Sequence, residues 1–237
     1  MCRECARTSR RGFLSLAAGG AALAAALSVG GAFNPALAKT ALSPDEALAR
    51  LKAGNERFVT APQLCEMKLA ENRADVAKGQ SPWATILTCA DSRVSPELIF
   101  GGVGLGELFV ARNAGNIANT DVLGTIEYGA EHLGSPLVVV MGHSRCGAVQ
   151  AACEVAEKHT ELHGSIKAMI AAIVPAAEAV IGQPGDFVEN AVRENARRNA
   201  GRVLAQSEIV TELAHAGKVK VVYAEYDLDT GAVSFLG

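Results

Sequence analysis

The chain has 237 residues, of which 49% are hydrophobic, and it carries 22 basic against 25 acidic side chains. This length is enough for one sizeable α/β domain with its own core. Because basic residues are in the minority and form no stripe, the composition argues against a nucleic-acid partner.

The first 38 residues have the pattern of an export signal. Arg10 and Arg11 precede residues 12–38, which carry no charge and are rich in alanine, glycine and leucine. The last three of them, Ala-Leu-Ala at 36–38, form a small-x-small cleavage site. This order of regions predicts a twin-arginine signal peptide over residues 1–38.

An uncleaved membrane anchor is the alternative interpretation of this segment. It is long enough to span a bilayer, but its many glycine and alanine residues make it only weakly apolar, which favours cleavage before Lys39. We therefore predict a periplasmic protein with a single domain over residues 39–237. Nothing after Lys39 has the pattern of a membrane span, so no stable span is expected once the signal is removed.

The first predicted element of the domain is an amphipathic helix that begins at Ser43. Serine is a typical N-cap, and Pro44 suits the first helical position. Leu48, Leu51 and Phe58 form an apolar stripe along this helix. That stripe has no obvious place in a compact sheet domain.

The rest of the domain alternates between helical patterns and short apolar runs. Such runs, rich in branched residues, are typical of strands that are buried on both faces. In chain order we predict a helix at 65–78, a strand ending at 89, a strand at 108–111 and a helix at 121–133. A strand at 137–141 and a helix from 147 follow. Next come helices at 165–181 (interrupted at Pro175), 186–204 and 208–216, and then strands at 219–225 and 232–236 around a turn at 229–231. The predicted fold is α/β, a mainly parallel sheet flanked by helices.

A glycine-rich segment at residues 101–106 has some likeness to a phosphate-binding loop. The dinucleotide motif would require glycine where Glu107 stands, and no helix clearly follows. We therefore predict a flexible turn.

Two cysteines and one histidine follow two of the predicted strands. Cys89 ends the first strand, and His143 and Cys146 come directly after the strand at 137–141. Because parallel strands place their carboxyl ends side by side, we expect these three side chains to meet. Three ligands with one open position are the arrangement of a catalytic zinc site.

An aspartate and an arginine lie next to the first of these cysteines. Asp91 is two residues after Cys89, so on extended backbone both side chains point the same way. A free carboxylate there could bind the metal and close the site. Arg93 offers two parallel hydrogen bonds that would keep Asp91 ionised and turned away. We predict that Asp91 and Arg93 form an orienting pair.

The other two cysteines of the domain are not part of these motifs. Cys153 lies seven residues after Cys146, on the same predicted helix face, and Cys65 opens a helix. Buried core thiols are common, and core packing is the prediction for both.

The joined motifs C-x-D-S-R, from Cys89 to Arg93, and H-x-x-C, from His143 to Cys146, resemble the β-class carbonic anhydrases. The resemblance covers about residues 43–237. Further matches are Lys78-Gly79-Gln80-Ser81-Pro82, Arg112-Asn113-Ala114-Gly115-Asn116, Glu127-Tyr128, Gly142-His143 and Cys146-Gly147-Ala148-Val149.

This resemblance implies a zinc lyase that interconverts CO₂ and bicarbonate by means of zinc-bound hydroxide. Cys89, His143 and Cys146 match the ligands of one Zn²⁺ per chain, and Asp91 with Arg93 matches the catalytic pair.

The resemblance also implies a substrate pocket and an assembly. Gln80, Phe109 and Tyr128 match residues that line the pocket of plant-type members. Ile86 stands where other members carry the tryptophan of an inhibitory bicarbonate site, so an accessible centre is expected. A homodimer or higher even homo-oligomer is implied, with the helix from Ser43 packed over a neighbouring subunit and the pockets at the dimer interface.

Three alternatives remain open on the sequence. Ser144 could be the nucleophile of a serine hydrolase, because it stands between a strand and a helix, although that motif needs glycine where Cys146 is. The cluster could be a non-catalytic zinc or thiol module with a closed shell. The same zinc chemistry could also act on carbonyl sulfide or carbon disulfide.

Overall fold

The structure is a computed structural model, and it describes residues 39–64, 73, 74 and 76–237. The described strands are β1 (Ala84–Cys89), β2 (Leu108–Asn113), β3 (Leu137–His143), β4 (Lys220–Tyr226) and β5 (Val233–Phe235). They form one sheet in the order β2-β1-β3-β4-β5, in which the first four strands are parallel and β5 is antiparallel to β4. The predicted α/β fold with a mainly parallel sheet is confirmed.

Helices connect the strands. They are α1 (Pro44–Thr60), α2 (Pro96–Ile99), α3 (Thr120–Glu127), α4 (Gly147–Lys158), α5 (Gly164–Ala171), α6 (Val174–Glu178), α7 (Phe187–Gln206) and α8 (Glu208–His215), with a 3₁₀ turn at Pro62–Leu64 and a π-helical turn at Tyr128–His132. Across the described residues, no helix has the length and hydropathy needed to cross a bilayer.

The α1 helix begins as its sequence predicts. The Ser43 hydroxyl accepts a hydrogen bond from the Glu46 backbone N–H at 3.3 Å, and the Ser43 N–H donates to the Glu46 carboxylate at 2.7 Å. This reciprocal pair, a capping box, satisfies two backbone donors that the first turn would otherwise leave free. Pro44 follows as the first helical residue.

The α1 helix packs against its own chain, which corrects the expectation that it has no place in the domain. Leu51 is fully buried in a cluster with Ile86 of β1 and Met141 of β3. A Cβ at Gly54 would lie 2.1 Å from the Phe100 carbonyl oxygen, so the helix approaches the backbone after α2 very closely. The sheet has two apolar faces, and α1 covers the one that the later helices leave bare.

The opposite face of the sheet is covered by α3, α7 and α8. Leu87 and Val138 from the strands pack there with Ile126, Val203 and Val210 from these helices. All residues of β1 and β3 are buried because both faces of the sheet are covered. Continuous apolar strands of this kind are typical of parallel sheets.

A third cluster lies at the carboxyl ends of β1 and β3. Cys89 and Cys146 are buried there among Val149 of α4, Val192 of α7 and Ile173, which lies between α5 and α6. Cys153 belongs to the same cluster, so its predicted core packing is observed. Cys65 lies outside the described residues, as do residues 1–38 and most of the helix predicted at 65–78.

Two helices differ from their predicted extents. The helix predicted at 121–133 leaves α geometry after Glu127 and continues as the π-helical turn. Gly129 in that turn lies against β1, where a Cβ would meet the Thr85 hydroxyl at 2.7 Å. The helix predicted at 165–181 is two helices, and Pro175 stands in the first turn of the second, where a missing N–H costs nothing.

Candidate metal centre

Cys89 is the last residue of β1, and the chain after β2 reaches its sulfur. The register of the two strands pairs Cys89 with Asn113. Both the side-chain oxygen and the side-chain nitrogen of Asn113 bond the backbone of Ile117, at 2.7 Å each, and so close a tight loop. Within this loop the Gly115 N–H points at Cys89 Sγ across 3.5 Å.

His143 and Cys146 are brought together by the turn between β3 and α4. His143 ends the strand and is fully buried, and Cys146 is the N-cap of the helix. Arg145 between them adopts a left-handed backbone conformation with φ of 52°, which reverses the chain within three residues. The turn therefore directs both side chains toward Cys89.

The imidazole of His143 presents an unpaired nitrogen to this cluster. Its Nδ1 lies 3.0 Å from the Ser144 carbonyl oxygen, which only accepts hydrogen bonds, so Nδ1 carries the proton. Nε2 is buried and has no hydrogen-bond partner. The Ser144 carbonyl thus fixes the proton on Nδ1 and leaves a lone pair on Nε2. This is the usual state of a metal-ligating histidine.

The geometry of the three side chains fits zinc. One ligand atom from each of Cys89, His143 and Cys146 lies within 4.8 Å of the other two, and the two sulfurs are 3.9 Å apart. Two thiolates at about 2.3 Å from one tetrahedral zinc stand about 3.8 Å apart. Two sulfurs and one imidazole are also a donor set that zinc prefers.

The two thiols lie 3.9 Å apart, and each shifts the pKa of the other. The hydrogen bond from the Cys146 thiol lowers the pKa of Cys89, and the same bond raises the pKa of Cys146. Backbone N–H groups of Ala148 and Val149 act in the opposite direction and lower the pKa of Cys146. The start of α4 thus favours the second thiolate that a bound metal requires.

Asp91 is held by Arg93 in a bidentate pair. The guanidinium donates to the two carboxylate oxygens at 2.9 and 2.7 Å, and the Arg93 backbone N–H donates at 2.9 Å. These hydrogen bonds hold the pKa of Asp91 well below its usual range. Asp91 Oδ2 lies 3.9 Å from His143 Nε2, beside the site but occupied by the arginine.

Arg112 is a site residue to which the sequence reasoning gave no role. Its guanidinium donates to the Cys89 carbonyl at 2.9 Å and to the Asp91 carbonyl at 2.7 Å. It therefore fixes the backbone that carries the first ligand and the aspartate. Its position in β2, one residue before Asn113, could have identified it, but only once β1 and β2 are known to be neighbours.

The three predicted pocket residues do not gather around the ligands within one chain. Phe109 pairs with Thr85, four positions before the Cys89 pair and about 13 Å away along the strand. Tyr128 packs beside Phe109, with ring centroids 6.0 Å apart. Gln80 precedes β1 and lines a cleft of about 530 Å³ at this amino end of the sheet.

The structure decides against a serine nucleophile. Ser144 is buried, and its hydroxyl accepts a hydrogen bond from the Leu228 N–H at 2.9 Å. His143 faces the carbonyl of Ser144, not its hydroxyl. The imidazole therefore cannot activate this serine.

Comparison with known proteins identifies the family. A family model described as carbonic anhydrase matches residues 84–233. Carbonic anhydrase 2 of Mycobacterium tuberculosis is 36% identical over 191 residues, which cover 80% of this chain and 91% of that protein. Carbonic anhydrase of Mycolicibacterium smegmatis is 32% identical over 193 residues, covering 81% and 92%.

Solved structures show the same fold. The β-carbonic anhydrase CcaA has a TM-score of 0.63 and 26% identity, over 80% of this chain and 95% of that one. A tetrameric β-carbonic anhydrase of Sordaria macrospora also has a TM-score of 0.63, at 22% identity, over 81% and 95%. The chain belongs to the β-class carbonic anhydrase family.

Proposed function

We propose that this protein catalyses the reversible hydration of CO₂ to bicarbonate and a proton, with one Zn²⁺ held by Cys89, His143 and Cys146. The observation that carries the proposal is the convergence of these three buried ligand atoms beside an aspartate that an arginine holds. When bound, zinc supplies a Lewis acid that lowers the pKa of a coordinated water toward about 7.

The chain's own residues orient the reaction. Asp91 stays ionised because Arg93 donates to both of its oxygens, so it can accept a hydrogen bond from the reacting water. Arg93 also keeps Asp91 from becoming a fourth ligand, although the carboxylate lies 3.9 Å from His143 Nε2. A non-catalytic module with a closed ligand shell is therefore less well supported than an open centre.

Apolar neighbours suit an uncharged substrate. Cys89 and Cys146 are buried in a cluster that includes Ile117 and Val149. Such surroundings exclude water from the ligands. They favour a small uncharged substrate over a charged substrate.

Metal analysis and a direct hydration assay test this function together. We expect close to one zinc per chain and rapid CO₂ hydration that is lost on removal of the metal and restored by zinc. Full activity after complete zinc removal would overturn the proposal. The same assay with carbonyl sulfide separates the two substrate classes, and CO₂ should be the faster substrate.

We further propose a homodimer or higher even homo-oligomer, in which Gln80, Phe109 and Tyr128 complete the pocket of a partner chain. Two observations support this assembly. The three residues lie far from the ligands of their own chain, and Tyr128 is 45% exposed although it is a large aromatic residue. Light scattering at micromolar concentration should detect no monomer.

Mixed oligomers test the shared pocket directly. Cys89→Ala removes a ligand and Tyr128→Ala removes a pocket residue, so each variant alone should be weakly active or inactive. A mixed pair would contain one centre with intact ligands and an intact partner Tyr128. Co-expression should therefore restore activity, and no restoration in a verified mixed oligomer would contradict the shared pocket.

The N-terminal segment is proposed as a twin-arginine signal peptide over residues 1–38, followed by a periplasmic domain over residues 39–237. The paired arginines and the Ala-Leu-Ala sequence at 36–38 support this proposal. Replacing both Arg10 and Arg11 by lysine should leave the protein in the cytoplasm, uncleaved and active. Normal export of that variant would contradict the twin-arginine assignment.

A further inference from the structure

Two buried asparagines of α7 hold the loop that follows β2. Asn195 Nδ2 donates to the Gly115 carbonyl at 2.8 Å, and Asn199 Oδ1 accepts from the Ala118 N–H at 2.9 Å. Asn199 Nδ2 also donates to Asn195 Oδ1 at 3.0 Å, which orients the first amide. Both side chains are almost fully buried, at 1% and 2% exposed. Because the side chains are buried, each of these hydrogen bonds is costly to lose.

The residue that they hold is the one that contacts the metal ligand. The Gly115 N–H lies 3.5 Å from Cys89 Sγ, and its carbonyl is the acceptor for Asn195. Gly115 has φ of +79°, and a Cβ there would lie 2.4 Å from the Cδ1 of Ile173. A side chain at this position would be strained by the backbone conformation and would displace the end of the Ile173 side chain. The Gly115 carbonyl lies in the peptide plane that follows this residue, and its N–H lies in the plane that precedes it. The N–H keeps its direction because the Asn195 hydrogen bond acts together with the two Asn113–Ile117 hydrogen bonds that close the loop.

We propose that Asn195 and Asn199 are positioning residues that aim the Gly115 N–H at Cys89 Sγ and so set how much charge this sulfur donates to the metal. The inference rests on the zinc centre proposed above. It links α7, which supplies no ligand, to the electronic properties of the bound metal.

The direction of the effect follows from charge. Two thiolates cancel the formal charge of Zn²⁺ and weaken it as a Lewis acid. A hydrogen bond to one thiolate withdraws electron density from that sulfur and partly restores the acidity of the metal. Without the bond, the sulfur donates more charge, and a higher pH is needed to activate the water.

Replacing zinc by cobalt allows the charge donated by the sulfur to be followed by absorption spectroscopy. Sulfur-to-cobalt charge-transfer absorption moves to longer wavelength when the sulfur becomes more electron-rich. We expect such a shift in Asn195→Ala and a smaller one in Asn199→Ala, which loosens the first amide and frees the Ala118 N–H but leaves the bond to Gly115 in place. Hydration activity at neutral pH should fall about 10-fold in Asn195→Ala, and its pH profile should move to higher pH.

Asn55 provides a matched control for buried amides. It lies on α1 and is also buried, and its side chain makes three hydrogen bonds to the backbone, with Ile99, Gly231 and Val233. Asn55→Ala should lower thermal stability without moving the cobalt band. A purely structural role for Asn195 predicts the same behaviour in Asn195→Ala.

The possible results separate the inference from the proposed function. A wild-type protein that shows no charge-transfer band would overturn the metal centre and the inference with it. A wild-type band that stays in place in both variants would overturn the inference alone. If Asn195→Ala does not fold, Asn199→Ala decides: a shift to longer wavelength supports the inference, and an unmoved band refutes it.

Discussion

The carboxyl and amino ends of the parallel sheet differ in whether one chain alone supplies all the residues of the candidate site at that end. At the carboxyl ends of β1 and β3, Cys89, Asp91 and His143 each have a hydrogen-bond partner that fixes them. At the amino ends, Phe109 and Tyr128 contact each other but face no ligand, and Tyr128 is 45% exposed. The three candidate ligands therefore come from one chain, whereas the pocket that we propose would draw on two.

Removal of a ligand should have the largest effect at the carboxyl end. His143→Ala leaves two thiols without the imidazole, so we expect loss of bound zinc and of measurable CO₂ hydration. Zinc content by elemental analysis and stopped-flow hydration measure both. Cys153→Ala is the matched control, since this thiol lies in the same apolar cluster but outside the ligand set, and it should keep zinc and activity.

The acid–base state of Cys153 supports its use as a control. Burial raises the pKa of this thiol to about 11, so it stays protonated at neutral pH when no metal contacts it. Alkylation of Cys153 should accordingly be slow at neutral pH and accelerate only as the pH approaches that value. Peptide mapping after alkylation measures the rate, and fast labelling at neutral pH would contradict the assignment.

Loss of the arginine should separate metal binding from catalysis. Arg93→Ala frees Asp91 to approach the metal or to turn away from the reacting water. We expect a folded protein with normal zinc content and hydration reduced about 100-fold. Arg197→Ala removes a similar bidentate pair, with Glu194, that includes neither a ligand nor Asp91, and it should leave activity unchanged. A normal rate in Arg93→Ala would show that the pair does not orient the reaction.

The ligands could be predicted from the sequence because their chemistry is local. Cys89, His143 and Cys146 each follow a short apolar run, and parallel topology brings the ends of such runs together. Asp91 and Arg93 were predictable for the same reason, since their spacing from Cys89 is only two and four residues.

The surroundings of the ligands depend on contacts between distant parts of the chain. Asn195 meets Gly115 across 80 positions, and the pattern of α7 contains no sign of this partner. The packing of α1 was equally hidden, because the sequence does not say which sheet face the later helices leave uncovered. Arg112 stabilises two carbonyls that become its neighbours only when β2 pairs with β1.

A change at the amino end should lower activity without disturbing zinc. Tyr128→Ala removes an exposed side chain, so we expect normal zinc content and little loss of stability. Loss of one pocket contact worth about 1.4 kcal/mol would reduce hydration about 10-fold. Kinetics and zinc analysis on the same preparation measure this. Zinc loss in Tyr128→Ala would mean that the two ends of the sheet are not independent.

The smallest effects should come from two glycines on the segment that carries Tyr128. A Cβ at Gly129 would meet the Thr85 hydroxyl at 2.7 Å and Phe109 at 3.0 Å, whereas a Cβ at Gly124 would meet nothing within 4 Å. Gly129→Ala should therefore lower the free energy of unfolding by about 1–3 kcal/mol and displace the Phe109–Tyr128 pair. Gly124→Ala should raise it by about 0.5–1 kcal/mol, since alanine loses less entropy in a helix.

Denaturant unfolding, zinc analysis and hydration assays on both glycine variants complete the comparison of the two ends. Gly129→Ala should keep its zinc, because the overpacking lies at the amino end of β1, about 13 Å from Cys89 along the strand. It should lose less activity than Tyr128→Ala. Gly124→Ala should keep both zinc and activity. If Gly129→Ala loses zinc in proportion to its activity, strain at the amino end reaches the ligands, and the metal centre cannot be treated as a separate unit of the sheet.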